Sequence, residues 1–178
     1  MNVQQEIAML STTLPHDLHV LVNVIDLLGW GALLLFPRRS LVNFWWAGLI
    51  VPLMLSFIYI YSLLTFWFLP PAMDFANFIN LEGVHKMFEN RGMLLVAWIN
   101  LSAMDLVAGA WMARKATQVK IPNVYLIPCL IMTYIFVGFG FTMFVAVAAA
   151  GGKWRVIARR EAIPAPDSAP VEAQPFAA

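Results

Sequence analysis

Two aspartates lie within long apolar runs, where a carboxyl group has no water to solvate it. Asp105 is twelve residues into the run 93–113, about 18 Å along a helix axis and so near the middle of that run. Asp26 is similarly placed in the run 18–36. A carboxylate at such a depth costs roughly 2.5–3.5 kcal/mol, so each should face a protein interior and hold either a partner or a proton. Trp98, Ser102 and Gly109 share the helix face of Asp105 through offsets of seven, three and four. On the other run, His16, His19, Asn23 and Asp26 recur at three- and four-residue steps and line one face. A neutral carboxyl at Asp105 can donate a proton to a ligand, or it can anchor one helix to another; the residues alone leave both open. Asn23, Asp26, Trp98, Asn100 and Ser102 are the candidate ligand contacts, and Glu89 and His85 are further candidates for acid and base work. For Glu89 and Arg91 the plainer expectation is a solvated charge pair at the membrane surface. Metal binding is not expected, because His19 and Asp26 are about 10 Å apart along the axis and one ion could not reach both.

The elements that must position these groups follow from composition. The chain has 178 residues, of which 61% are hydrophobic and 12% charged, about half the charged share of soluble domains. The runs 18–36, 41–69, 93–113 and 125–150 are almost free of charge, and each is long enough to cross a bilayer. Backbone groups in hydrocarbon must pair within their own segment, so the spans should be helices. The expectation is an all-α, multi-pass membrane protein: four transmembrane helices in a small bundle over 18–150, after an N-terminal segment 1–17. A basic segment 151–160 and a disordered Pro- and Ala-rich tail 161–178 should follow. The residues 1–17 contain no Lys or Arg for a cleavable leader, so the first run should be retained. For a bacterial source the location would be the inner membrane.

Within this bundle, Pro37 to Ser40 should join the first two spans as a tight antiparallel hairpin. Pro52 and Pro128 should kink their spans. The connection 70–92 could hold a short amphipathic helix on Phe75, Phe78 and Ile79, or be a solvent loop. Small residues at Gly109 and Ala113, and at Gly138, Thr142, Ala146 and Ala150, should form the contact between spans three and four. The lone Cys129 cannot form an internal disulfide and should be core. Four spans divide the basic residues almost evenly between the two faces; the cluster 153–160 favours both termini being cytoplasmic. A net charge of +1 gives no reason to expect nucleic acid as a partner. No nucleotide fingerprint, phosphate loop or nucleophilic triad is visible, so no cofactor is expected.

The run from Leu94 to Ala116 contains Trp98, Asn100, the pair Asp105 and Leu106, and Gly109 followed by Trp111. This run resembles the signature helix of the abscisic-acid-deficient-four-like membrane proteins, a family that includes the plant protein needed to make neoxanthin. Asn23, Trp30 and Pro37, the segment Gly83 to Glu89, and Ile121-Pro122 leading to Pro128-Cys129-Leu130 are similar as well. Asn100 stands where the family has His, and Phe139 stands where it has Pro. The resemblance implies a carotenoid-like or other isoprenoid ligand and a redox-neutral epoxide isomerisation, which needs an acid at oxygen and a base at carbon. Asp105 would be the acid. Asn100 cannot titrate, so the base would move to His85 or Glu89. The rival expectations are a non-catalytic subunit or assembly factor of a membrane complex, a homo-oligomer, or a proton-coupled carrier; lipid is the partner in every case.

Overall fold

A computed structural model describes residues 3–68 and 78–151, with side chains over 13–67 and 78–151. The regular elements of these residues are all helical. They are α1 (Val3–Leu35), a π-helical segment (Leu41–Ile50) running into α2 (Val51–Phe68), α3 (Leu81–Glu89), α4 (Arg91–Gln118), α5 (Asn123–Ile135) and α6 (Val137–Ala150). Three stretches are long and apolar enough to cross a membrane: Thr13–Leu35, Leu41–Trp67 and Arg91–Gln118. Met1, Asn2, Phe75 and the expected segments beyond Gly151 lie outside the described residues, whereas most of the expected N-terminal segment is a continuation of α1.

The central helix is α4, which packs on α1, the π-helical segment, α2, α3, α5 and α6. Its position follows from its sequence: small or slender residues at Ser102, Gly109, Ala110, Ala113 and Ala116 are buried along it and let neighbouring backbones approach without hydrophobic drive from lipid. The contact with α1 is close. A Cβ on Gly109 would sit 2.7 Å from Cη2 of Trp30, so the indole lies against bare backbone. Trp30 and Leu106 are buried.

The helix winds more widely just before Pro52. Val51 N–H reaches back to Trp46 O, five residues away, which is the π pattern. A proline at the next position brings no N–H and crowds the preceding turn, so a helix that is already unwound accommodates it. Asn43 is buried on this segment and donates from Nδ2 to Pro37 O, tying the turn to the helix it begins. The connection before α4 contains a helix, α3, but Phe78 and Ile79 precede it and are exposed. Asn80 Oδ1 caps α3 through Gly83 N–H at 2.7 Å, and Asn90 Oδ1 caps α4 through Gly92 N–H at 2.8 Å.

The largest difference from expectation is at 125–150, which is not one continuous span. Phe136 is extended (φ −143°, ψ 92°) and separates α5 from α6. A Cβ on Gly140 would lie 2.2 Å from Thr133 N, yet seven residues of continuous helix span about 10.5 Å. The chain therefore folds back at Phe136. At the other end, Ile121 and Tyr125 of the α5 entry line one cavity with Val147 and Gly151, which makes α5 and α6 antiparallel. Each is about 20 Å long, short of a roughly 30 Å hydrocarbon core. Glycine at 140 is what permits this fold, because no side chain fits between the two arms. Cys129 is buried as expected, with Sγ donating to Tyr125 O at 3.1 Å.

The hairpin changes the sidedness. Arg38 donates from Nη2 to Ile121 O at 3.1 Å, so the α1 exit and the α5 entry share a face. Arg39, Arg114, Lys115 and Lys120 belong to that face, and the chain leaves α6 there at Gly151. The opposite face has Lys86 and Arg91 together with Glu82 and Glu89. Among the described residues the basic side chains are thus in excess on one face, the kind of face that the positive-inside rule favours as cytoplasmic; the expected cluster 153–160 lies outside the described residues. The start of α1 lies on the other face, in place of the expected pairing of both ends.

The small-residue expectation is half corrected. Gly109 and Ala113 are buried, but Gly138, Thr142, Ala146 and Ala150 point outward, and Gly140, Phe144 and Ala148 face the bundle instead. The break at Phe136 rotated α6 relative to the continuous helix on which the stripe was counted.

Two outcomes are expected. In a Cys129→Ala background, an impermeant maleimide should label Gln118→Cys and Gly151→Cys from one side and Glu82→Cys from the other. Labelling of positions 118 and 151 from opposite sides would mean that 125–150 crosses the membrane as one helix. In detergent, Gly109→Leu should cost about 1–3 kcal/mol through overpacking against Trp30. Gly138→Leu should leave the melting temperature unchanged, since nothing lies within 4 Å of a Cβ there.

Candidate functional site

The α1 stripe and the α4 face meet at mid-depth. Asn23, Asp26 and Trp30 from α1 and Trp98, Ser102 and Asp105 from α4 line a cavity of about 370 Å³, closed at one end by Tyr134 and Ile135 near the hairpin tip. Helical spacing brings them together: 23, 26 and 30 are one face of α1, and 98, 102 and 105 are one face of α4. The contact of Trp30 with Gly109 lies one turn beyond Asp105 and sets the separation of the two faces.

Asp26 is 6% exposed. Neither Asp26 nor Asp105 has a hydrogen bond to another described residue, and Oδ1 of each is buried without a partner. Trp30 is 2% exposed and its Nε1 is likewise unpartnered; its ring meets Tyr134 edge-on at 5.4 Å. Thus three residues that line a single cavity each hold a buried polar atom with no partner among the described residues. Among the described residues no Lys, Arg or His lines it. Burying an ionised carboxylate without a counter-charge is very costly, and a neutral carboxyl is the alternative. Such a carboxyl both donates and accepts, whereas the indole N–H only donates.

The outer edge of the cavity is bridged. Trp98 donates from Nε1 to Asn23 Oδ1 at 3.1 Å, which joins α4 to α1. Asn23 Nδ2 lies 3.1 Å from His19 Nε2, and the His19 ring is 6.0 Å from that of Trp98. His16 is exposed and contributes nothing to this cavity.

The remaining candidates lie elsewhere. Asn100 is exposed, about 140° around the helix from Asp105. His85 and Glu89 pair with each other on α3, His85 Nε2 being 3.6 Å from Glu89 Oε1, and both are about two-thirds or more exposed. They precede α4, whose first residue is about 21 Å from Asp105 along the axis. Glu89 is thus not the partner of Arg91. Among the described residues no group of three or more His, Cys, Asp or Glu is arranged to hold a metal ion.

Trp30 and Tyr134 are site residues that the polar pattern overlooked. Trp30 was accessible in principle, four residues beyond Asp26 on the same face. Tyr134 was not, because only the chain reversal at Phe136 brings it to mid-depth.

The unpartnered acids separate a functional role from an anchoring one. A carboxyl that joins helices loses a bond when replaced, at about 1–3 kcal/mol for the group left behind. Asp105 has no such bond, so Asp105→Leu is expected to keep or raise the melting temperature in detergent, as is common when a site gives up a costly group. A clear fall would identify Asp105 as an anchor.

No curated protein and no solved structure matches the chain. The sequence does match the description of the ABA DEFICIENT 4-like proteins over residues 18–144, an interval that contains Asn23, Asp26, Trp30, Trp98, Ser102, Asp105 and Tyr134. With well over half its length matched, the chain belongs to the ABA DEFICIENT 4-like family.

Proposed function

We propose that this membrane protein binds a carotenoid-like or other apolar isoprenoid whose oxygen-bearing end enters the cavity between α1 and α4, and that it isomerises that end ring. The observation that carries the reading is the set of unpartnered atoms: Asp26 Oδ1, Asp105 Oδ1 and Trp30 Nε1. Trp30 Nε1 requires an acceptor, and a protonated carboxyl offers a donor. An ether, epoxide or hydroxyl oxygen meets both needs without charge.

An epoxide-to-allene isomerisation needs one proton delivered to the epoxide oxygen as its C–O bond breaks and one proton removed from carbon as the new double bond forms. The sum is redox-neutral and calls for no added cofactor. Asp105 is assigned as the acid, and the carboxylate left when it gives its proton to oxygen takes the proton from carbon, the base role that His85 or Glu89 was expected to fill; Asp26 is a second neutral carboxyl on the same cavity. Asn23 and Trp98 hold the outer wall, and Ser102 offers a further hydroxyl to the ligand.

A second reading, a non-catalytic subunit or homo-oligomer, draws support from the outward stripe Gly138, Thr142, Ala146 and Ala150, whose spacing suits helix contacts between chains.

In a host that supplies an epoxy-carotenoid, Asp105→Asn should reduce product by about 10²-fold or more with membrane level unchanged, because the amide keeps the shape and loses the transferable proton. Asn100→His, on the outer face, should leave product unchanged. Pigment extracted from the purified wild type should contain the isoprenoid. Equal product from the wild type and Asp105→Asn, or copurifying protein chains with no pigment, would favour the subunit reading.

A further inference from the structure

A second cavity, of about 470 Å³, opens at the end of the α1/α4 cleft nearest α3. Its polar wall is Arg91, His16 and His19, and its apolar wall is Leu94, Leu95 and Trp98. No carboxylate lines it among the described residues. Arg91 makes no ion pair with a described residue, because Glu89, two positions earlier, lies against His85. The first N–H groups of α4 are taken by Asn90, whose Oδ1 accepts from Gly92 and Met93. What the cavity offers is therefore side-chain chemistry: an unpaired guanidinium beside two imidazoles. A guanidinium matches the paired oxygens of phosphate.

Depth and surroundings narrow the class further. Arg91 is the first residue of its span, and His16 lies one turn into Thr13–Leu35, so both sit where the headgroups of a bilayer would be. Below them, Leu94, Trp98 and Leu101 are about half exposed, forming an apolar track that descends from the basic wall toward mid-membrane. A free anion would use the basic wall and leave the track bare; a phosphate attached to a hydrocarbon chain would cover both.

We propose that this cavity is a binding site for a phosphate carried on a lipid chain, with the phosphate against Arg91, His16 and His19 and the chain along Leu94 and Trp98. The site is distinct from the acid-lined cavity, shares only Trp98 with it, and does not depend on the chemistry assigned to Asp105.

The test uses the full chain in uncharged maltoside micelles, with binding read by native mass spectrometry and thermal shift. The compounds are farnesyl phosphate, dioleoyl phosphatidic acid, their uncharged counterparts farnesol and dioleoylglycerol, and inorganic phosphate. At least one phosphate-bearing lipid should bind one per chain, with the uncharged counterparts and inorganic phosphate at least about tenfold weaker. Binding of farnesyl phosphate alone supports the site with a prenyl source, binding of phosphatidic acid alone supports it with a diacyl source, and binding of both supports it for either chain. Arg91→Gln should weaken that binding about tenfold or more, and His85→Gln, outside the cavity, should not alter it. If Arg91→Gln lowers the helical content, His16→Gln and His19→Gln carry the same expectation. Failure of both lipid phosphates to bind, equal binding of farnesol and farnesyl phosphate, or unchanged affinity in the folded cavity variants would overturn the proposal. Inorganic phosphate binding as tightly as the lipids would overturn it in favour of a free-anion site.

Discussion

The indole of Trp30 resting on the bare backbone of Gly109 is the contact on which the interior depends. It sets how closely α1 approaches α4, and through that distance it decides that Asp26 and Asp105 border one cavity. Lipid supplies no hydrophobic drive for two apolar helices to meet, so close packing has to do it. A glycine on one helix and a large flat ring on the other is an effective pair for that purpose. The ring has a second effect: its N–H is buried where nothing accepts from it, leaving a directional demand beside the two acids.

The site is therefore built with its hydrogen bonds incomplete. Folded proteins pair nearly all buried polar groups, and exceptions call for a reason. Of the six buried side-chain atoms without a partner among the described residues, three belong to residues of this single cavity, while the polar groups at its outer edge are paired: Trp98 with Asn23, and Asn23 with His19. That combination is what supports the proposed binding reading, in which a ligand supplies the missing partners. The same reasoning separates the inner cavity from the basic one near α3, since among the described residues the inner one is lined by acids without a cation and the outer one by a guanidinium without an acid.

The α5/α6 hairpin links this chemistry to topology. By turning back at Phe136 it brings Tyr134 and Ile135 to the floor of the inner cavity, and it returns the chain to the face from which it came. That return also gathers the basic residues. Arg38 bonded to Ile121 O fastens the hairpin entry to the first turn of the bundle, so the sidedness and the closed end of the cavity share one structural cause.

Much of this was determined by the sequence alone. Long uncharged runs require helices, because backbone groups in hydrocarbon can find partners only within their own segment. Helical periodicity placed His19, Asn23 and Asp26 on one face and Trp98, Ser102 and Asp105 on another, since residues three and four apart lie together on any helix. Asn23 and Asp26 of the first face and all three residues of the second line the inner cavity, and His19 lines the basic one. Asn100 lies within the motif and His85 and Glu89 precede it, and periodicity does not tell how far α3 lies from mid-depth. The tertiary structure alone decided that 125–150 is two helices. Its composition is as apolar as a span's, and the reversal depends on a contact between Thr133 and Gly140 that exists only after the chain has turned. From that one event followed Tyr134 at the site, the outward turn of Gly138 and Thr142, and the side on which α6 ends, none of which is a property of neighbouring residues in the chain.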